Sequence, residues 1–336
     1  MKLHNSHEYI RKLAKNISPE LSFNGDFCGW QKRAKSKLTE LLRLPLEKCG
    51  DDFKINSERD CGDYKRIDFE FQSEPGYYVS SSFLIPENAK KPCPTVICIQ
   101  GHTSGMHVSL GEVTVEEDIK DIAGGRDFAV QALKECFCAV TVEQRYMGSA
   151  GNGKEGVPAC LSENEAMAAL LIGRCAIGER VWDMSCLIDV IFKHFSEFVD
   201  KEKLICLGSS GGGTTTFYTS CLDDRIKVSV VSGAMCSFDD SIMAMSHCPC
   251  NFVPNMRRYF DMGDLGGLIA PRKLVIVCGT EDPIFPLHGV EKSFKTISET
   301  YRAVGKENLC RLVKGNGGHR FYPDEAWPQI KELVEM

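Results

Sequence analysis

What the chain lacks narrows it quickly. No apolar run approaches the roughly 20 residues of a membrane-spanning helix, and the opening MKLHNSHEYIRKLAK has no apolar stretch of signal-peptide length. The expected setting is soluble and cytoplasmic. No cluster of Lys and Arg stands out, and 46 acidic against 40 basic side chains leave a net charge of −6. Nucleic acid and anionic membranes are therefore not expected partners. No low-complexity tract marks a linker, and the 336 residues suffice for one large α/β domain with decorations or for two ordinary domains. No C-x-x-C pair occurs. The nearest approaches, Cys136-x-Cys138 and Cys248-Pro249-Cys250, are one residue too short, and only the second has a histidine close by, His247, so no metal is expected. The 17 cysteines are odd in number, and Cys98, Cys138, Cys206, Cys278 and Cys310 sit inside apolar runs. Reduced thiols acting as small core hydrophobes are the expectation.

What is present centres on Lys203 to Leu222, KLICLGSSGGGTTTFYTSCL. An apolar run, Leu204 to Leu207, enters Gly208-Ser209-Ser210-Gly211-Gly212, and a helix-compatible run from Thr214 to Leu222 leaves it. Strand, sharp turn and helix in that order match the G-x-S-x-G nucleophile elbow, with Ser210 as the nucleophile. Gly208 and Gly212 fall where strand and helix pass too close for side chains. The Gly211 N–H would lie in the first helical turn, where unpaired donors and the helix dipole suit an oxyanion. A glycine-rich turn before a helix also suits phosphate, but Gly213 is followed by Thr214, Thr215 and Thr216 with no lysine. Nor does a G-x-G-x-x-G open a helix with an acidic residue about 20 positions on, as a dinucleotide site requires.

A serine hydroxyl is a weak nucleophile until an imidazole takes its proton, and that imidazole needs a carboxylate to fix its tautomer. Both partners follow in the chain. The apolar run Lys273 to Cys278 ends in Gly279-Thr280-Glu281-Asp282-Pro283, and the run Leu309 to Val313 ends in Gly315-Asn316-Gly317-Gly318-His319-Arg320. Ser210, Asp282 and His319 thus follow strand ends in the order Ser, Asp, His. Upstream, Thr95 to Gln100 reads as a strand ending in Gly101-His102-Thr103, and the His102 N–H is the expected second oxyanion donor. These parts supply nucleophile, base and oxyanion donors without a cofactor.

The remaining chain reads as alternating strands and helices. Residues 1–60 are expected as an N-terminal helical extension, including an amphipathic helix from Trp30 to Leu44, and residues 61–336 as the catalytic domain. Tyr64 to Gln72 and Tyr77 to Ile85 alternate as an antiparallel edge hairpin. A helix from Arg126 to Cys136 and a strand from Phe137 to Val142 lead to Glu143, Arg145 and Tyr146, a strand tip expected to face the site and bind substrate. Residues 149–164 read as a loop. Helical pieces follow through Phe195, and a strand from Lys227 to Val231 comes after the elbow. Residues 235–264 form an apolar irregular stretch, expected as a lid or as a subunit contact in a homo-oligomer. Helices from Val290 to Val304 and from Asp324 to Val334 flank the last strand. The pattern implies an α/β fold: a mostly parallel sheet with helices on both faces.

Four stretches carry a family resemblance. Arg145-Tyr146-Met147-Gly148 resembles the Asp-Gln-Arg-Gly-x-Gly turn of α/β-hydrolases. Gly173-Arg174 through Gly178-Glu179-Arg180-Val181-Trp182-Asp183, Leu268-Ile269-Ala270-Pro271-Arg272 and Gly317-Gly318-His319-Arg320-Phe321 resemble the acetyl xylan esterase and dienelactone hydrolase-like branch. The likeness runs from Tyr64 to the end. It implies the α/β-hydrolase fold and an acyl-enzyme esterase with Ser210, Asp282 and His319 as nucleophile, acid and base. It departs at Gln100-Gly101, where the family has His-Gly, and at Tyr146, where glycine is usual. The expected substrate is a small ester, an acetylated sugar first. Met243, Met245, Phe252 and Met256 would instead suit a longer acyl chain. A serine peptidase, or a binding module that has lost catalysis, are the alternatives.

Overall fold

The structure, a computed structural model, describes residues 4–151 and 163–336. Nine strands form one sheet: β1 (Lys54–Asp60), β2 (Tyr64–Glu74), β3 (Tyr77–Pro86), β4 (Cys93–Ile99), β5 (Cys138–Val142), β6 (Val199–Ser209), β7 (Val228–Ser232), β8 (Lys273–Gly279) and β9 (Cys310–Gly315). Their order is β1-β2-β3-β5-β4-β6-β7-β8-β9. The ladders from β1 to β5 are antiparallel, and those from β5 to β9 are parallel. This is the α/β-hydrolase fold, with the hairpin at one edge as its alternation implies.

Residue-by-residue alternation divides the core. On β7 and β8, Val228, Val230, Val275 and Val277 face the helices Phe128–Lys134 and Pro323–Glu335. Val231, Leu274, Ile276 and Cys278 face the helices Gly211–Leu222 and Leu287–Ala303. Strands buried on both faces have no polar side to show, which is why these segments read as continuous apolar runs. On β2, Ile67, Phe69 and Phe71 point into the core on the side of Ile188 and Ile191 of the helix Ala176–His194.

The first 60 residues are not all helical. Helices span Ser6–Lys15 and Phe27–Leu41, but Lys54–Asp60 is the edge strand β1, paired with β2. Its sequence, KINSERD, has no apolar alternation, and nearly all of it is exposed. Backbone pairing holds it. The second helix buries Trp30, Ala34, Leu38 and Leu41 in the same core as the elbow helix. It stops at Leu41, three residues before the expected Leu44, because Arg43 adopts a left-handed φ of 60°.

Residues 235–264 are built into the core, with Met235, Phe238, Met256 and Phe260 buried and Phe252 exposed. Most of the expected loop 149–164 lies outside the described residues; Gly148–Ala150 is a single tight turn, and Glu163 already begins the helix Glu163–Leu171. Cys98, Cys206, Cys278 and Cys310 are free and buried. Cys138 is not a free thiol as expected: it is joined to Cys93, its neighbour across the β4–β5 ladder, with Cα atoms 6.3 Å apart. Cys248 is joined to Cys250. Neither link could be seen in spacing alone.

The order of strands fixes where a site can form. From β4 the chain steps to β5 on one side and then to β6 on the other, so the loops leaving β4 and β6 diverge. Such a switch point opens a crevice at the carboxyl ends of the strands. His102 and Ser210 sit in these two loops.

Candidate active site

Ser210 follows β6 and precedes the helix Gly211–Leu222, with φ 55° and ψ −123°. That strained conformation needs its surroundings to hold it. The Ser210 N–H donates to the Ser232 carbonyl at 2.9 Å. A Cβ on Gly208 would stand 2.3 Å from the Gly212 carbonyl oxygen, and one on Gly212 would stand 2.1 Å from the Ile99 oxygen. Only glycine fits at either position. The β4 loop passes directly over the elbow, since a Cβ at Gly101 would lie 2.9 Å from Ser210 Cβ and 3.4 Å from Gly211 N.

β8 and β9 are neighbours, and their loops bring Asp282 to His319. Asp282 Oδ2 accepts from His319 Nδ1 at 2.8 Å. Its Oδ1 accepts from the N–H groups of Ile284 at 2.8 Å and Phe285 at 3.1 Å. Burial by itself would raise this carboxyl, but the His319 hydrogen bond and charge, together with the two backbone donors, hold it below the ordinary value. A carboxylate can only accept, so the proton is on Nδ1 and Nε2 is left as a base. Nε2 is buried and has no hydrogen-bond partner. The His319 loop is tied down by Glu281 N–H to Gly317 O at 2.8 Å and by the Tyr322 hydroxyl to Gly318 O at 2.7 Å. The ring stacks on Phe285, with centroids 5.8 Å apart, and packs so near Gly233 that a Cβ there would be 2.9 Å from Cε1. Gly233 follows Ser232, whose carbonyl holds Ser210. The ring therefore stands beside the elbow.

A cavity of about 230 Å³ opens at Ser210, and His102, Gly211, Thr214, Ser246, His247, Cys248, Asn251, Ile284 and Phe285 share its wall. Two larger hollows, of about 580 and 450 Å³, lie away from Ser210. The structure thus brings Ser210, Gly211 and His102 to one cavity, with the Asp282–His319 pair at its edge. Burial, aided by the positive charges of Arg180 and Arg126 and by the neighbouring histidines, lowers the His102 imidazole to about 4, so it is neutral at physiological pH. Of the wall residues from Ser246 to Asn251, His247 and Cys248 drew notice in sequence only as parts of a metal site that the spacing argued against; for the rest, the apolar character of 235–264 was the signal.

Glu143, Arg145 and Tyr146 go elsewhere. None lines the cavity. Glu143 accepts from the N–H groups of Met106 and Ser149, and Tyr146 donates to Glu179. Arg145 donates to Asp183 through Nε at 2.7 Å and Nη2 at 2.8 Å, pairs with Glu74 through Nη1 at 2.7 Å, and lies 3.9 Å from the centre of the Tyr77 ring. These groups are consumed in a buried network that braces the β5 end. Gln144 of the same turn bolts the site's loops together, donating to the Gln100 carbonyl and accepting from Thr215 Oγ1 at 2.5 Å. Of the four long side chains proposed for an apolar acyl channel, Met243, Met245, Phe252 and Met256, none reaches the cavity wall.

Fold and site together define a hydrolase-type α/β scaffold with an elbow serine. The chain belongs to the Abhydrolase family, whose profile matches residues 4–312. A protein of Bacillus subtilis (strain 168) provisionally named as hydrolase YtaP is 25% identical over 255 residues, covering 74% of this chain and 78% of that protein. Among solved structures, a provisionally assigned acetyl xylan esterase of Bacteroides fragilis NCTC 9343 superposes with a TM-score of 0.83 at 16% identity, covering 99% of this chain and 96% of that one. A glucuronoyl esterase from Solibacter usitatus gives 0.70 at 14% identity, covering 96% and 98%. Among the described residues, no helix is long and apolar enough to cross a membrane.

Proposed function

We infer that the protein is a serine carboxylic-ester hydrolase working through an acyl-enzyme. One observation carries the reading: His319 Nδ1 is bonded to a buried carboxylate at 2.8 Å while its Nε2 is buried with no partner beside the elbow serine. With the proton held on Nδ1 by Asp282, Nε2 keeps a lone pair free to take a proton. In this mechanism Ser210 Oγ attacks the ester carbonyl as Nε2 takes its proton, and Asp282 stabilises the imidazolium. The N–H groups of Gly211 and His102 hold the oxyanion. The alcohol leaves with the proton from Nε2, and water repeats the sequence to release the acid.

A short acyl group fits best. The cavity is only about 230 Å³, and His102, Thr214, Ser246, His247 and Asn251 set polar groups in its wall beside Ile284 and Phe285. That favours acetyl esters of a hydroxylated alcohol, in keeping with carbohydrate esterases on the same fold. Among the described residues seven buried cysteines are free, Cys98, Cys175, Cys206, Cys221, Cys236, Cys278 and Cys310, which suits a cytoplasmic setting, whereas the Cys93–Cys138 and Cys248–Cys250 links weigh against it. The test is a series of aryl esters from acetyl to octanoyl with wild type and Ser210→Ala, alongside a fluorophosphonate probe. One label per chain at Ser210 and turnover lost in the variant are expected. Labelling at Ser209, or turnover retained in Ser210→Ala, would refute the reading.

A further inference from the structure

The wall of the Ser210 cavity carries a second group of chemically able side chains that the ester mechanism does not use. A ring nitrogen of His102, Cys248 Sγ and Cys250 Sγ all lie within 4.8 Å of one another. His102 Nε2 is buried without a hydrogen-bond partner. Cys248 lines the cavity, whereas Cys250 is buried behind it. The three come from different places: His102 from the loop after β4, and the two cysteines from the turn around Pro249, seated against it by tertiary packing. Two thiolates and an imidazole converging on one point form a ligand set for a thiophilic cation, and such a set leaves a fourth tetrahedral position open.

We propose that, in their dithiol state, Cys248 and Cys250 together with His102 bind Zn²⁺ on the wall of the Ser210 cavity, and that the bound ion suppresses ester turnover. Binding displaces the two thiol protons. Thiol–disulfide exchange with a small disulfide oxidant converts the pair to the Cys248–Cys250 bond seen here: two electrons pass to the oxidant, which leaves as two thiols, and the metal ligands are lost. Suppression follows from space. The two thiolates neutralise the ion's charge, but the ion and the ligand in its open position occupy a cavity of only about 230 Å³, and they do so beside Gly211, where a Cβ would already stand 2.9 Å from the His102 ring. The suppression rests on the serine-esterase reading; the binding does not.

The experiment uses the full chain, reduced with a phosphine that is then removed, and titrated anaerobically with Co²⁺ and with Zn²⁺. Wild type should show a thiolate-to-cobalt charge-transfer band saturating at one equivalent above that of Cys250→Ser, and the band should vanish after oxidation with a small disulfide. One equivalent of Zn²⁺ should slow acetyl ester turnover at least about tenfold, the scale on which a single metal contact matters, with recovery on chelation. Cys250→Ser should keep its basal rate and resist Zn²⁺; Cys248→Ser gives the same binding test if that variant does not fold. No extra band in reduced wild type, or equal inhibition of wild type and Cys250→Ser, would overturn the proposal. A cobalt band in a protein that hydrolyses no ester would uphold the site and defeat the esterase reading instead.

Discussion

Two ionisable side chains at strand ends, Arg145 after β5 and His319 after β9, differ in what they leave undone. Around Arg145, the guanidinium donates to Asp183 and Ser73, pairs with Glu74 and sits over Tyr77. Around His319, one nitrogen is bonded to Asp282 and the other is buried with no partner. Removing charges from water is costly, and a protein recovers that cost only by satisfying each of them. Arg145 is spent on structure, whereas Nε2 of His319 keeps a free lone pair, and the proposed role of His319 as base rests on that contrast. Residue type does not separate the two cases, because arginine at a strand tip suits substrate binding as well as it suits bracing.

The sharpest way to break this contrast is at the serine. Ser210→Ala should lower kcat on an acetyl ester on the order of a millionfold while leaving the melting curve in place, since the loss of a triad serine removes the covalent route. Asp282→Asn should follow, with a loss of up to about four orders of magnitude from the wrong tautomer. Glu281→Gln, next in sequence and exposed, should turn over at the wild-type rate; if it proves the damaging change, the acid has been misassigned.

Arg145→Met should invert the pattern. It leaves Asp183 and Glu74 without their partner, so urea unfolding should report a loss of about 3–5 kcal/mol, with kcat/KM of the remaining folded enzyme within a few-fold of wild type. A large selective rise in KM would return Arg145 to the substrate. Acyl length gives a smaller effect: kcat/KM should fall from acetyl to butyryl to octanoyl. An apolar channel would instead gain about 0.8 kcal/mol per methylene buried, and a rise along the series would reject the acetyl preference.

The smallest effect concerns acid stability. Burial pushes the Asp282 carboxyl up, but His319 and two backbone donors hold it below its ordinary value in the fold. Its stabilisation is therefore complete above about pH 4, the ordinary aspartate value, and is lost as pH falls through the folded value. The stability gap between wild type and Asp282→Asn should be constant near neutrality and close in acid. A gap that opens in acid would mean the carboxyl is held protonated.

The sequence by itself determined the elbow, the Ser, Asp, His order and the six-strand parallel run from β5 to β9. These are local. A strand buried on both faces must be continuously apolar, and the elbow must have glycine where a Cβ would stand 2.3 Å from a carbonyl. β1 was hidden because an exposed edge strand needs only a partner's backbone and imposes no side-chain pattern. Tertiary structure alone decided that Arg145 faces Asp183, 38 residues on, away from the cavity. It alone set His102, and not the adjacent His247, against the Cys248–Pro249–Cys250 turn. Short-range preferences settle what a segment becomes, whereas which side chains meet depends on how distant strands order themselves in the sheet, and no spacing along the chain records that.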